Sequence, residues 1–299
     1  MCESINQIIK NRGGFIMKFH SYPNLYPTSL TLKIRNLEAS IKFYENIIGF
    51  KLLNKTEKSA ELTVDGTTPL VYLEQLEKAE PKNARMTGLY HFAILVPSRE
   101  DLGIILQHLL KSGYPLQGAS NHEVSEAIYL ADPDGNGIEI YRDLPAEQWE
   151  WHNGSVQMGT FALDAEGVLQ LGSSKEWQGL PEGSVIGHIH LHVADLDKTV
   201  NFYVDGLGFD IVQKYGEQAY FISTGNYHHH IGLNIWNGRG IPAPKTTNIG
   251  LKYFDLVVPT KEKRNKIVEN LREMGAVVEK VEEDFYVCDP SGNRMRLTI

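Results

Sequence analysis

The chemistry-bearing residues of this chain are its histidines, of which there are 11. His188, His190 and His192 alternate with apolar residues, a period of two that puts all three on one face of a strand. His228, His229 and His230 run together before Ile231-Gly232-Leu233-Asn234. The run is internal, so it is no terminal tag, and alternation along a strand sends His229 to one face and its neighbours to the other. His91 lies among Tyr90, Phe92 and Ile94. His122 opens the string H-E-V-S-E-A-I-Y-L-A-D-P-D-G-N-G-I-E, which carries Tyr129 and ends on Glu139. Imidazole changes charge near neutral pH and is a common metal ligand. With a carboxylate such as Glu139, these groups could hold a divalent metal or move protons. Singly, each has a plainer reading: His91 as a satisfied core side chain, Tyr129 as a buried strand aromatic, His190 and His192 as supports of a neighbouring ligand or as solvent-facing. Period alone does not choose among the three histidines of the 188–192 stretch.

The elements that must position these residues repeat. ASIKFYENIIGF (39–50) parallels KTVNFYVDGLGF (198–209), with Phe43-Tyr44 on Phe202-Tyr203 and Gly49-Phe50 on Gly208-Phe209. GLYHFAILVP (88–97) parallels GLKYFDLVVP (250–259), and DPDGNGIEI (132–140) parallels DPSGNRMRL (289–297). In the first unit an alternating strand (30–35) precedes a helix with apolar residues at three- and four-residue spacing, which Gly49 ends. Strand-rich runs at 51–53, 60–64 and 70–73 follow. The third unit repeats this with a strand at 188–193, a helix ended by Gly208, and strands at 219–223 and 229–235. Four modules of strand, helix and three strands result, over 25–86, 87–147, 185–246 and 247–299. Residues 148–184, glycine-rich and without period, read as a long connection.

Composition sets the outer limits. At 299 residues, 42% hydrophobic and 22% charged, the chain is an ordinary globular protein, long enough for two domains. Asp and Glu number 37 against 29 Lys and Arg, a formal charge of −8 that offers nucleic acid no attractive field. No apolar run of about 18 residues suggests a membrane span. Two cysteines, Cys2 and Cys288, make no disulfide framework and suit a reducing cytoplasm. Residues 1–16 lack the apolar core and cleavage site of a signal peptide. Arg12-Gly13-Gly14 could be encoded by a purine-rich ribosome-binding stretch, so translation is expected to start at Met17.

Four tandem βαβββ units carrying H-F-A-I-L-V-P and D-P-D-G-N-G-I-E resemble the vicinal oxygen chelate superfamily, to which glyoxalases and extradiol dioxygenases belong. The resemblance covers nearly all of the chain past residue 24. It implies an α+β fold of four modules forming two half-barrel domains, with paired modules wrapping a sheet around a metal-holding cleft. The implied organisation is an N-terminal extension (1–24), a first module pair (25–147), a connection (148–184) and a second module pair (185–299). The string from His122 to Glu139 is similar to the extradiol ring-cleavage signature, although Ser120 stands where that signature prefers Gly, Asn or an aliphatic residue. The overall pattern resembles the catechol 2,3-dioxygenases of Gram-positive bacteria.

The family draws one His from the first strand of one module, and a His and a Glu from the first and last strands of its partner, around one face of Fe(II). Carried over, the metal ligands are His188, His91 and Glu139. Module 1 has Ser29 in the place of His188, and module 4 has Tyr253 and Arg296 in the places of His91 and Glu139. A complete set therefore requires modules 2 and 3 to face each other, leaving modules 1 and 4 a cleft without metal. The resemblance further implies His229 as acid–base, Tyr129 as a substrate contact and His122 as a hydrogen-bond donor at the substrate site. Trp236 and Tyr227 suit a planar ring, and core packing explains them equally well. The implied reaction cleaves catechol or a related aromatic diol with O2, beside the two oxygens, on Fe(II) or on Mn(II), which the same ligands accept. A glyoxalase-type isomerase or thiol transferase would need a fourth protein ligand, which Gly232, Leu233 and Asn234 do not supply. A metal-free drug-binding protein of the same superfamily would have no use for the triad. The sequence carries no argument for or against a homo-oligomer.

Overall fold

In the computed structural model, which describes residues 19–82 and 84–299, the four repeats are four copies of one unit. The expected start at Met17 lies outside those residues. Module 1 runs β1 (Tyr26–Ile34), α1 (Leu37–Phe43), β2 (Lys51–Lys55), β3 (Ser59–Thr63) and β4 (Pro69–Gln75). Module 2 runs β5 (Gly88–Leu95), α2 (Arg99–Ser112), β6 (Gly118–Asn121), β7 (Ser125–Ala131) and β8 (Gly137–Asp143). Between the halves lie β9 (Trp151–His152), β10 (Ser155–Val156), β11 (Phe161–Ala162) and α3 (Ala165–Gly172). Module 3 comprises β12 (Val185–His192), α4 (Leu196–Asn201), β13 (Asp210–Tyr215), β14 (Ala219–Ser223) and β15 (Ile231–Asn234). Module 4 comprises β16 (Gly250–Val257), α5 (Lys261–Glu273), β17 (Val278–Val281), β18 (Asp284–Cys288) and β19 (Arg294–Thr298).

The helix boundaries follow local chemistry. Asn36 and Asp195 accept hydrogen bonds from the backbone N–H three residues on and so cap α1 and α4. Each helix loosens into a π-helical turn and ends at the predicted glycine, Gly49 at φ 99° and Gly208 at φ 88°, left-handed conformations that a side chain would oppose. One expectation needs correction. The last strand of module 3 begins at Ile231, so His228–His230 lie in the turn before it rather than in the strand. The 148–184 connection carries short elements of its own: β11 extends a sheet beside β6, and α3 packs across α2 where Gly103 and Gly172 leave no room for a Cβ.

Chain order does not set the sheets. One has eight strands in the order β17-β18-β19-β16-β1-β4-β3-β2, and the other nine in the order β11-β6-β7-β8-β5-β12-β15-β14-β13. Modules 1 and 4 thus share one curled sheet and modules 2 and 3 the other, joined centrally by the antiparallel pairs β1–β16 and β5–β12. Helices cover the sheets, and an apolar core including Leu32, Phe92, Ile189 and Phe254 runs through both halves. The repeated motifs meet where the sheets are tied together. Tyr44 of one sheet donates to Asp132 of the other (2.9 Å), and its counterpart Tyr203 donates to Asp289 (3.4 Å). The backbone N–H of Arg35 reaches Asp134 (2.9 Å), and that of Ala194 reaches Ser291 (3.0 Å). The D-P-x-G-N turns therefore recur because each receives a tyrosine from the preceding module. No helix among the described residues is long and apolar enough to cross a membrane.

Candidate metal centre and active site

His91 and His188 come from adjacent antiparallel strands, and Glu139 from β8 on the other side of β5. Register brings them together: His188 lies opposite Ala93 on β5, and Ala93 is in turn opposite Glu139 on β8. A register irregularity just before His188 sets its ring toward the same point. Gly137 permits the close approach of β8, because a Cβ there would fall 2.2 Å from the Tyr90 carbonyl oxygen and 3.0 Å from the Cβ of His91. Glu139 Oε2 is 3.0 Å from His91 Nε2 and 3.3 Å from His188 Nε2, and the two nitrogens are 3.3 Å apart.

These separations test whether a metal fits. Donors bonded at about 2.1 Å and mutually at right angles lie about 3.0 Å apart, so the three atoms already describe one face of a coordination octahedron. Burial pushes His188 down to about 4 against the pull of Glu139, so its ring is neutral at pH 7. Burial also raises Glu139, but the charge and hydrogen bonds of His188 and His91 outweigh it and hold the carboxyl well below its ordinary range. A neutral imidazole and an ionised carboxylate are the forms that bind a divalent ion. The three residues form a group able to hold a metal ion.

A cavity of about 440 Å³ opens beside the triad, lined by His91, Glu139, His122, Tyr129, His229 and Trp236 among others. Tyr129, opposite Glu139 in the β7–β8 ladder, lies 2.6 Å through its hydroxyl from Nε2 of His122, whose Nδ1 lies 2.7 Å from the Gly159 carbonyl oxygen. That oxygen only accepts, so Nδ1 carries a proton; with a single proton on the ring, Nε2 accepts from Tyr129. His122 then orients the phenol rather than donating to the substrate site, and the phenol oxygen offers its lone pair to the cavity. Burial and the Glu139 charge raise Tyr129 well above the ordinary phenol range, keeping it protonated.

His229 also lines the cavity, its ring 4.1 Å from that of His188 between centroids. The residue beside it, His228, was not singled out by sequence. It is fully buried, with Nε2 2.8 Å from Asp143 Oδ1 and Nδ1 2.8 Å from Nδ1 of His229. The sequence signal for it lay in the triple histidine itself, which strand alternation divided too simply. Of the two readings for His190 and His192, a place supporting the neighbouring ligands or one facing solvent, burial leaves the first: His190 stacks edge-on against Tyr90 in the cavity wall, and His192 bonds Asn234 at 2.7 Å. Tyr227 is absent from the cavity lining and fully buried, its hydroxyl bonded to that of Tyr141 and donating to the Asp143 carboxylate, so for it the core-packing reading holds, while Trp236 lines the cavity.

The corresponding place in the other sheet is filled by a different chemistry. Ser29 lies opposite Asp255, which lies opposite Arg296, repeating the register of His188, Ala93 and Glu139. Arg296 donates to both Asp255 oxygens (2.6 and 2.7 Å), and Ser29 donates to the same carboxylate. A guanidinium and a carboxylate, neutralising each other, thus stand where the other sheet gathers His91, His188 and Glu139.

The fold and this donor set define the class. The chain belongs to the Glyoxalase/Bleomycin resistance protein/Dioxygenase superfamily, whose model matches residues 28–140 and again 185–297. It is 48% identical over 262 residues to a catechol-2,3-dioxygenase of Bacillus subtilis (strain 168), spanning 87% of this chain and 92% of that one. A metallothiol transferase, FosB, of Lysinibacillus sphaericus is 29% identical over 41% of this chain and 86% of its own length. Among solved structures, glyoxalase I from Zea mays superposes with a TM-score of 0.57 over 91% of this chain and 92% of its own, at 15% identity, a likeness of fold.

Proposed function

We propose that this protein is an extradiol (meta) ring-cleavage dioxygenase, opening catechol or a related aromatic diol with O2 at Fe(II), with Mn(II) accepted by the same donors. The carrying observation is the open face of the triad: two imidazole nitrogens and one carboxylate oxygen on one side, a cavity lined by Tyr129 and His229 on the other. The similarity to a catechol-2,3-dioxygenase supports the reaction class. Among the described residues no fourth His, Cys, Asp or Glu joins the group, which separates it from the four-ligand isomerase and transferase designs.

The bound ion would hold the diol and O2 side by side and draw electron density from one toward the other. The chain's own work is positional and protonic. His91, Glu139 and His188 leave one face free for two substrate oxygens and a gas molecule. Tyr129, fixed by His122, accepts a hydrogen bond from an incoming hydroxyl. His229 takes the proton that the diol loses on binding and returns it as the ring opens, a task suited to imidazole. Tyr90, Phe221 and Trp236, which line the cavity, would flank the diol's ring. The C–C bond beside the diol breaks, both atoms of O2 enter the semialdehyde product, and the diol supplies all the electrons. A reducing cytoplasm is the setting we assign, since it keeps the ferrous ion available.

Anaerobic reconstitution with Fe(II), followed by catechol and air, tests the reading. Oxygen uptake with a yellow product, lost in Glu139→Ala, is expected. Metal bound at one per chain with no oxygen consumed would overturn the dioxygenase reading and bring the isomerase and transferase chemistries forward.

A further inference from the structure

Resting on the reading of His229 as the acid–base, a second question is what prepares its ring. We propose that His228 and Asp143 are positioning residues that hold His229 in the tautomer with its proton on Nδ1, leaving the Nε2 lone pair to the cavity. Asp143, at the end of β8, accepts from His228 Nε2 at 2.8 Å and from the Tyr227 hydroxyl at 3.3 Å. A carboxylate only accepts, so His228 Nε2 carries a proton. The Nδ1 atoms of His228 and His229 are 2.8 Å apart, and one must donate to the other. With one proton per ring, that of His228 is already committed to Asp143, so His229 donates from Nδ1. Its Nε2 makes no hydrogen bond to the described residues, and the ring forms part of the cavity wall.

The supports are rigid. His228 is fully buried between Trp149 and Tyr227, with ring centroids 5.1 and 4.1 Å away, and Tyr227 is itself held at 2.7 Å by Tyr141. A free imidazole side chain prefers its proton on Nε2, the wrong nitrogen for a base facing the cavity. The link to Asp143 reverses that preference, and when His229 takes a substrate proton its Nδ1–H is already bonded to a lone pair.

Nitrogen NMR of the metal-free full chain, labelled at its histidine rings, reads the tautomers directly, with His229 assigned by its loss in His229→Gln. The expected pattern is a proton on Nδ1 of His229 and on Nε2 of His228. His228→Phe, which removes the acceptor, should move the His229 proton to Nε2 and lower kcat about a hundredfold with KM little changed. His228→Asn, whose amide oxygen can stand where Nδ1 stood, should keep the Nδ1–H tautomer and recover most of kcat. A native His229 protonated on Nε2, or a doubly protonated His228, overturns the relay whatever the activity. The expected tautomers in a chain that consumes no oxygen would instead count against the dioxygenase reading and uphold the relay.

Discussion

At the scale of single residues the site depends on charge as much as on shape. Glu139→Gln preserves volume and both histidine contacts but leaves two imidazoles facing a neutral amide. Metal content after dialysis, measured by elemental analysis, should fall from one ion per chain to a small fraction, with ring-cleavage activity down about 10³-fold. The variant should also lose the rise in Tm that Fe(II) gives the native chain, since an ion bound only by the folded state stabilises it by mass action. A variant that binds Fe(II) as the native chain does would show that the ligands lie elsewhere. Of the candidate residues, His91, Glu139 and His188 could be compared across the aligned repeats, because ladder register follows chain spacing within a module, whereas Tyr129, His122 and His229 came from the family resemblance alone. His228 was legible in neither way. Its place depends on the turn before β15, which sets its ring against Asp143 at the end of β8, and a turn has no period to read.

Elements are tied at points where charge is buried, and these give the stability a pH dependence of known sign. Glu126 on β7 accepts from Arg99 at the start of α2 and from Arg142 on β8 (2.8 Å each). Burial raises its carboxyl, but the two guanidinium groups outweigh this and hold it below the ordinary range. A depressed folded value means stability that is present above the unfolded pKa and lost as pH falls through the folded one. Glu126→Gln should therefore cost about 2 kcal/mol in urea unfolding at pH 7, and the gap to the native chain should close in acid. Asp289, in the turn before β19, has the opposite sign. Burial pushes its carboxyl up to about 6 despite bonds from the backbone N–H of Ser291 and Asn293. Its contribution is fully present below the unfolded value near 3.8 and is lost as pH rises through about 6, by roughly 3 kcal/mol in all. Asp289→Asn should flatten the stability curve between pH 4 and 7. An unchanged slope there would mean that Asp289 titrates normally.

For the whole molecule, the telling feature is the approximate twofold relation between the two sheets. Each sheet takes one module from each half of the chain, and the tyrosine-to-turn bonds of Tyr44 with Asp132 and Tyr203 with Asp289 cross between them in both directions. One sheet gathers His91, Glu139 and His188, a group able to hold a metal ion, while the other holds Arg296 against Asp255, a pair whose carboxylate side is buried. Arg296→Met alone leaves that charge unpaired and should destabilise by about 3 kcal/mol, whereas Arg296→Met with Asp255→Leu should restore most of the loss. Neither should alter metal content or kcat, since both act in the other sheet. A fall in metal content in the double variant would show that the two sheets are coupled.

What the amino-acid sequence by itself determined is the module: its alternation, helix caps, terminal glycines and D-P-x-G-N turns are local, and each is specified by neighbours a few residues away. The missing histidine of module 1 and the missing His and Glu of module 4 even pointed to which modules complete a triad. Only the tertiary structure decided how the modules pair, because strand β5 can offer its edge to any compatible strand and the choice of β12 depends on contacts between segments nearly a hundred residues apart. The same holds for the Arg296–Asp255 pair and for the Asp143–His228–His229 link. In each, the partners share no periodicity, and their meeting follows from the curvature of a sheet assembled from both halves of the chain.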